Sequence, residues 1–346
     1  MTVDDGHGTT AVATPSPVLQ QPGAVEGTGP EAGVAAHYGD PFREQRALEA
    51  GRGVVDLSHR GVLSITGADR LSWLHSLTTQ DLTGLPPGGS STALVLSPHG
   101  HIEHVLYLVD TGVTTWIHTE PGRAGALAAF LHSMQFMLRV EVSDRSDEVA
   151  VLWWADPRAV GAGLSLATRV AADTLGGTET FVPREQLLEA VGDTVPAGHW
   201  AYDARRIAAF VPRLGFETDH RSIPNELGWL DTAVHLDKGC YRGQETVARV
   251  HTLGRPPRRL VFLHLDGSTD DLPEHASAVR LADREVGYLG SSVRHAELGP
   301  IALAVVRRNV DPAADLLVEG RHGPVAAAQE IVVSPEVGLH VRPRLR

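Results

Sequence analysis

Residues 237 to 245 read Asp237-Lys238-Gly239-Cys240-Tyr241-Arg242-Gly243-Gln244-Glu245. This stretch holds the only lysine and the only cysteine of the 346-residue chain. Of 30 Lys and Arg side chains, the other 29 are arginine. Placement alone puts two singletons this close roughly once in a hundred chains. Lysine is a compact, titratable charge on a flexible stem, unlike the planar arginine fork. A cation beside a thiol lowers its pKa and raises the thiolate fraction. Gly239 and Gly243 let the backbone turn tightly and approach a ligand. From Gln244 a helix can start, with Glu245 favourable in its first turn. Two readings follow from the residues. Cys240 and Lys238 form a working pair, with Tyr241, Gln244 and Glu245 as polar groups for a small heterocycle. Otherwise the segment is a tight loop whose cysteine is a small buried hydrophobe.

Composition narrows the classes around that loop. A formal net charge of -12 argues against a broad nucleic-acid surface. A hydrophobic content of 42% supplies a packed core. One cysteine excludes an internal disulfide, and excludes an iron–sulfur cluster held by this chain's cysteines alone. The start of the chain lacks the basic and apolar segments of a signal peptide, and no apolar run of about 18 residues occurs. A soluble cytoplasmic protein without membrane contact is expected.

Residues 1–36 are rich in Gly, Pro and Ala without hydrophobic periodicity, and predict a disordered tail. Between 37 and 255 the pattern mixes strands and helices. Gly61 to Thr66 reads as a strand, and Leu71, Trp73, Leu74 and Leu77 follow at helical spacing. Ser91 to Leu96 and His101 to Val109 predict a hairpin through Ser97-Pro98-His99-Gly100. A further strand, Thr114 to His118, precedes a helix opened by Pro121, and Val140 to Trp154 returns as strand. Phe181 to Val191 and His199 to Phe210 predict helices. From 256 to 346 short alternating runs separated by turns predict a small β-barrel. The class is α+β. His99, His101, Glu103 and His104 form a local cluster, but no metal-site spacing is met, so no metal is assigned.

Lys238-Gly239-Cys240-Tyr241 followed by Gly243-Gln244-Glu245 resembles the signature of the YgfZ family, which are folate-binding proteins. Val55-Asp56-Leu57-Ser58-His59, Ile65-Thr66-Gly67-Ala68-Asp69, Leu96 to Ile102, Pro212 to Gly215 and Ile223 to Glu226 resemble the matching parts of aminomethyltransferase-like folds. The resemblance spans about residues 36 to 335. It implies aminomethyltransferase-like mixed sheets with helices plus the C-terminal barrel, as three subdomains around a central channel. It implies tetrahydrofolate in that channel, and iron–sulfur client or assembly proteins as partners. The implied role is support of iron–sulfur cluster assembly or repair, with Cys240 as the thiol. The alternative is a tetrahydrofolate-dependent aminomethyltransferase or demethylase of the glycine-cleavage type. Folate has a flat pterin and an acidic tail, so it asks for an aromatic face, polar partners and a cation. Trp200, Tyr202 and Trp229 are candidate faces, Glu226 and Gln244 candidate pterin partners, and Arg205 or Arg206 a candidate for the tail.

The sequence also departs from the catalytic relatives. Aminomethyltransferases carry an Asp-Asp pair after the hairpin glycine, where this chain has Glu103 and His104. They place a pterin-binding Glu in a stretch that here, from Ala204 to Leu214, has no acid.

Overall fold

A computed structural model describes residues 14–156, 164–171, 173–268, 270 and 272–339. Two five-stranded sheets and a closed six-stranded barrel carry the architecture. The first sheet orders its strands Ala167–Val170, Thr178–Pro183, Val149–Trp154, Gly53–Asp56, Val195–Ala197. Only its last pair is parallel. The second runs Ser90–Leu96, Ile102–Asp110, Thr114–Thr119, Gly61–Thr66, Glu141–Asp144, antiparallel throughout. The predicted hairpin through Ser97 to Gly100 is its first pair.

The barrel strands show why their sequence is apolar almost without interruption. Side chains alternate across a strand. In Arg258–Leu265, Val261, Leu263 and Leu265 fill the barrel interior. Leu260 and Phe262 face the other way, into a core shared with the body of the protein. Gly299–Arg307 repeats this: Ala302, Ala304 and Val306 point in, while Ile301, Leu303 and Val305 point out. A strand buried on both faces needs no polar alternation. The shared core also takes Leu94, Ile102, Tyr107, Ile207, Trp229 and Tyr241.

Two expectations differ from what is observed. Residues 14–36 do not form a disordered tail. Val18 inserts beside Val54 and Leu187, Val25–Glu26 pairs with Ala35–His37, and Glu31 is buried in ion pairs. Gly and Pro lower the periodicity signal there without removing these anchors. Residues 1–13 lie outside the described ones. Phe181 to Val191 is not one helix: strand Thr178–Pro183 precedes helix Leu187–Val191. Proline fixes φ and lacks an N–H, so Pro183 suits the strand's end rather than a helix interior. No helix among the described residues is long and apolar enough to cross a membrane.

Candidate functional site

The thiol loop is held from four sides. Gly243 takes φ +82°, which frees the chain to start helix Gln244–Leu253. A Cβ there would lie 2.5 Å from Ser97 O and 2.8 Å from Gly100 Cα. Gly100, at φ +82°, would meet Thr246 Cβ at 2.7 Å. The hairpin turn and the helix start therefore touch backbone to backbone. On the next side, Arg242 Nη1 donates to Glu103 Oε2 at 3.1 Å, and its guanidinium lies 5.7 Å from the Phe130 ring centre. Tyr241 buries its ring in the shared core, and burial raises its pKa to about 12.

Lys238 supplies the fourth anchor. Its Nζ donates to the carbonyls of His75, Thr78 and Gln80. Those oxygens lie in and just past the last turn of helix Arg70–Leu77, which carries the negative end of the helix dipole. The side chain is buried, and burial, partly opposed by Asp81, pulls its pKa down to about 8. All three donors of the ammonium are thus spent on carbonyl oxygens. Cys240 itself is exposed.

Glu103 and His104 lie beside this loop. Glu103 is paired with Arg242. His104 is buried, its Nδ1 has no hydrogen-bond partner, and its ring sits 6.2 Å from Phe130. Burial, then the charges of Arg123 and Arg242, pull its pKa down to about 4. An unfolded histidine takes up a proton near pH 6.5. Between pH 6.5 and 4 the unfolded chain therefore binds a proton that the folded one refuses, and stability falls as pH falls. The full difference is on the order of 3 kcal/mol. His104→Leu should flatten that part of the profile. Urea unfolding from pH 7 to 4 checks it, and a variant curve parallel to wild type would refute the assignment.

A cavity lies between the two sheets and helix His199–Ala208. It is a narrow cleft with about 10 Å³ of free volume, room for about one water, partly open to solvent. Arg60, Tyr107, Arg169, Asp173, Tyr202 and Arg206 are among its lining residues. Behind the wall, buried ions are matched. Arg169 donates to Glu179 and to Thr92 Oγ1 at 2.7 Å. Arg206 reaches Asp203 at 2.6 Å and Glu217 at 3.5 Å. Arg213 reaches Glu120 and Glu31, each at 2.8 Å. Burial pushes the carboxyl of Glu179 up, but Arg169 and His118 outweigh it and hold it well below the usual range. Asp173 goes the other way: burial raises its pKa.

The remaining sequence candidates scatter. Tyr202 lines the cavity. Trp200 is 46% exposed, its ring 4.9 Å from His37. Arg205 donates to Leu175 O at 3.3 Å and lies over Trp153. Glu226 is committed to Arg258 at 3.0 and 2.9 Å. Trp229 is in the shared core, and Glu245 points to solvent and pairs with Arg249. Gln244 opens its helix, with its N–H on Tyr241 O. Sequence reading missed Arg60, Tyr107, Arg169 and Asp173. The one signal present was a charge within a short strand, as Arg169 in Ala167–Val170. Among the described residues, no group of three or more His, Cys, Asp or Glu is arranged to hold a metal ion.

One mixed sheet, one antiparallel sheet and a closed C-terminal barrel make up an aminomethyltransferase-like fold. The crystal structure of the glycine cleavage system aminomethyltransferase T from Bartonella henselae superposes with a TM-score of 0.77 over 93% of this chain and 97% of its own, at 18% identity. Sequence relatives point the same way. The aminomethyltransferase of Symbiobacterium thermophilum is 29% identical over 281 residues, 66% of this chain and 71% of its own. That of a Synechococcus species is 28% identical over 339 residues, 86% of this chain and 91% of its own. No family model matches the chain.

Proposed function

We propose that this protein binds tetrahydrofolate in the cavity between its sheets and acts on one-carbon chemistry of the aminomethyltransferase type. The observation that carries the reading is similarity over most of the chain to proteins named aminomethyltransferase. The lining chemistry fits the ligand. Tyr202 offers an aromatic ring and Asp173 a carboxyl to a ring N–H. When bound, the folate would supply the nitrogens that accept a one-carbon unit. The chain's own residues would bind and orient it and limit water.

A second reading is favoured by one specific observation. Glu103 is spent on Arg242, while the lone thiol two residues before Arg242 is exposed. In that reading the protein supports iron–sulfur cluster assembly or repair in the cytoplasm, and Cys240 contacts a client. One thiol cannot hold a cluster, so the client or a small thiol must add ligands.

Calorimetry with tetrahydrofolate on wild type and Cys240→Ala tests the first reading. Both should bind, and Cys240→Ala should unfold within about 0.5 kcal/mol of wild type, because the side chain is exposed. Absence of binding in both removes the folate assignment. Production of methylene-tetrahydrofolate from an aminomethyl donor supports the transferase. If no such turnover occurs, and Cys240→Ala fails to restore iron–sulfur enzymes in a deletion strain that wild type restores, the second reading stands.

A further inference from the structure

Helix Ala124–Ser133 carries no charge on either side. Its inner face, Ala124, Leu127, Ala128 and Leu131, packs on the second sheet. An ordinary surface helix turns charged residues to water on its other face. This one does not. Its outer face is Gly125, Ala126, Ala129, His132 and Ser133, which follow one another at helical spacing. The chain continues into Met134, Phe136, Met137 and Leu138, which are 41, 84, 90 and 41% exposed. From Ala124 to Leu138 there is no Asp, Glu, Lys or Arg, although such residues make up 21% of the chain. Taking about 200 Å² for each whole side chain of this size, the four large ones alone expose on the order of 500 Å². Apolar patches of that size on a folded chain mark contact sites.

The tip is held out, not loose. Trp73 Nε1 donates to Met134 O at 3.0 Å, and Gln135 Nε2 donates to Val140 O. Arg139 grips Asp69 through Nε and Nη2 at 3.0 and 2.7 Å, and its backbone N–H adds a third bond at 2.9 Å. Met137 takes φ +51°, a strained value for a non-glycine residue that its surroundings must impose. The prong is thus ordered before any partner arrives, which lowers the cost of association.

The chemistry of the strip selects its partner. A membrane surface asks for Lys or Arg beside the apolar residues; the strip has none, and Arg139 at its end is held by Asp69. An unlike protein is ordinarily steered and set in register by charge, which is also missing. A second copy of this chain carries the same net charge of -12, so two copies meet best where neither presents charge. The strip is also complementary to itself. Its first half is small, Gly125, Ala126 and Ala129, and its second half is large, Met134, Phe136 and Met137. A two-fold axis near Ala129 and His132 lays each large half on the small half of the other copy.

We propose that the outer face of helix Ala124–Ser133 and the tip from Met134 to Leu138 form a homodimer interface, with the two helices antiparallel. With the small half added, each copy buries close to the roughly 800 Å² per partner of a standard interface. The interface borders the thiol loop, since Phe130 on the flank of the same helix lies 5.7 Å from the Arg242 guanidinium.

The test is sedimentation velocity of the full chain from about 1 to 200 μM, over which wild type should pass from monomer to dimer. Phe136→Glu and Ala126→Arg should each weaken the dimer at least about tenfold, because each buries an unpaired charge. An equimolar mixture of the two should dimerise again, since the antiparallel pairing sets the two introduced charges against each other and leaves the other contact intact. Raising NaCl from about 0.05 to 0.5 M should tighten the wild-type dimer, because salt screens the repulsion of two acidic chains. A wild type that stays monomeric throughout, a dimer that survives both substitutions, or one that salt weakens overturns the proposal. A mixture that stays monomeric overturns it as well. Both sites are exposed, so the urea midpoints of the variants should match wild type. Should either variant unfold, the uncharged Met137→Ser takes its place, and an undiminished dimer there overturns the proposal.

Discussion

Arg213→Met should cost about 3–5 kcal/mol of folding free energy at pH 7, the range for removing one partner of a buried ion pair. Arg213 binds Glu120 through Nε and Nη2 at 2.9 and 2.8 Å, and Glu31 through Nη1 at 2.8 Å. All three side chains are at most 7% exposed. Burial raises the Glu31 and Glu120 pKa values, but Arg213 together with His59 at Glu31 and Arg60 at Glu120 outweighs it, and both end below the carboxylate norm. In wild type that stabilisation is present above the unfolded carboxylate pKa and fades as pH falls through the folded values. In Arg213→Met the carboxyls are buried with weaker compensation, so their pKa values rise and the penalty shrinks as pH falls and they protonate. Urea denaturation at pH 7 and 5 tests both points. A loss under about 1 kcal/mol at pH 7, or a loss that grows at pH 5, contradicts the account. Because Glu31 belongs to the N-terminal segment, the variant should also expose residues 14–36 to protease.

The second large effect belongs to Gly243→Ala. An alanine at φ +82° is strained by about 1–3 kcal/mol, and its Cβ would stand 2.5 Å from Ser97 O. Its neighbours there are backbone atoms of the hairpin turn and cannot swing away like a flexible side-chain tip. We expect a loss of at least about 3 kcal/mol, with the hairpin turn and Cys240 loop parting locally. Hydrogen exchange should quicken in residues 96–102 and 238–247 before elsewhere. Equal exchange in those segments, with stability within about 0.5 kcal/mol of wild type, would show that the turn and helix are not locked together.

These two positions mark what the sequence discloses and what it conceals. Gly243 was legible: a glycine between a loop and a helix start signals a backbone special in one dimension of the chain. The barrel strands were legible for the same local reason, since runs such as Leu260 to Leu265 carry their own period. Arg213 was not. Its partners lie 93 and 182 positions away, and an arginine has the same letter whether solvent or two carboxylates surround it. Lys238 shows the limit of proximity in sequence. It stands two residues from Cys240, yet its ammonium is fixed to carbonyls some 160 positions earlier. The disorder expected over residues 14–36 fails likewise, because Glu31 finds its cations only in three dimensions.

The outward face of the barrel has a consequence for how the protein is made. Leu260, Phe262, Val293, Ile301, Leu303 and Val305 belong to the same core as Tyr241. Each such side chain left in water forfeits about 1.5–3 kcal/mol, so together they rival a whole domain's net stability of about 5–15 kcal/mol. A ribosome delivers these residues after all the others that surround the thiol loop. Until they emerge, the core that receives Tyr241 has only the side built by residues such as Leu94, Ile102, Tyr107, Ile207 and Trp229. The nascent chain thus carries its half of that core uncovered for the whole time it takes to translate the barrel, the interval in which a chaperone would meet it first.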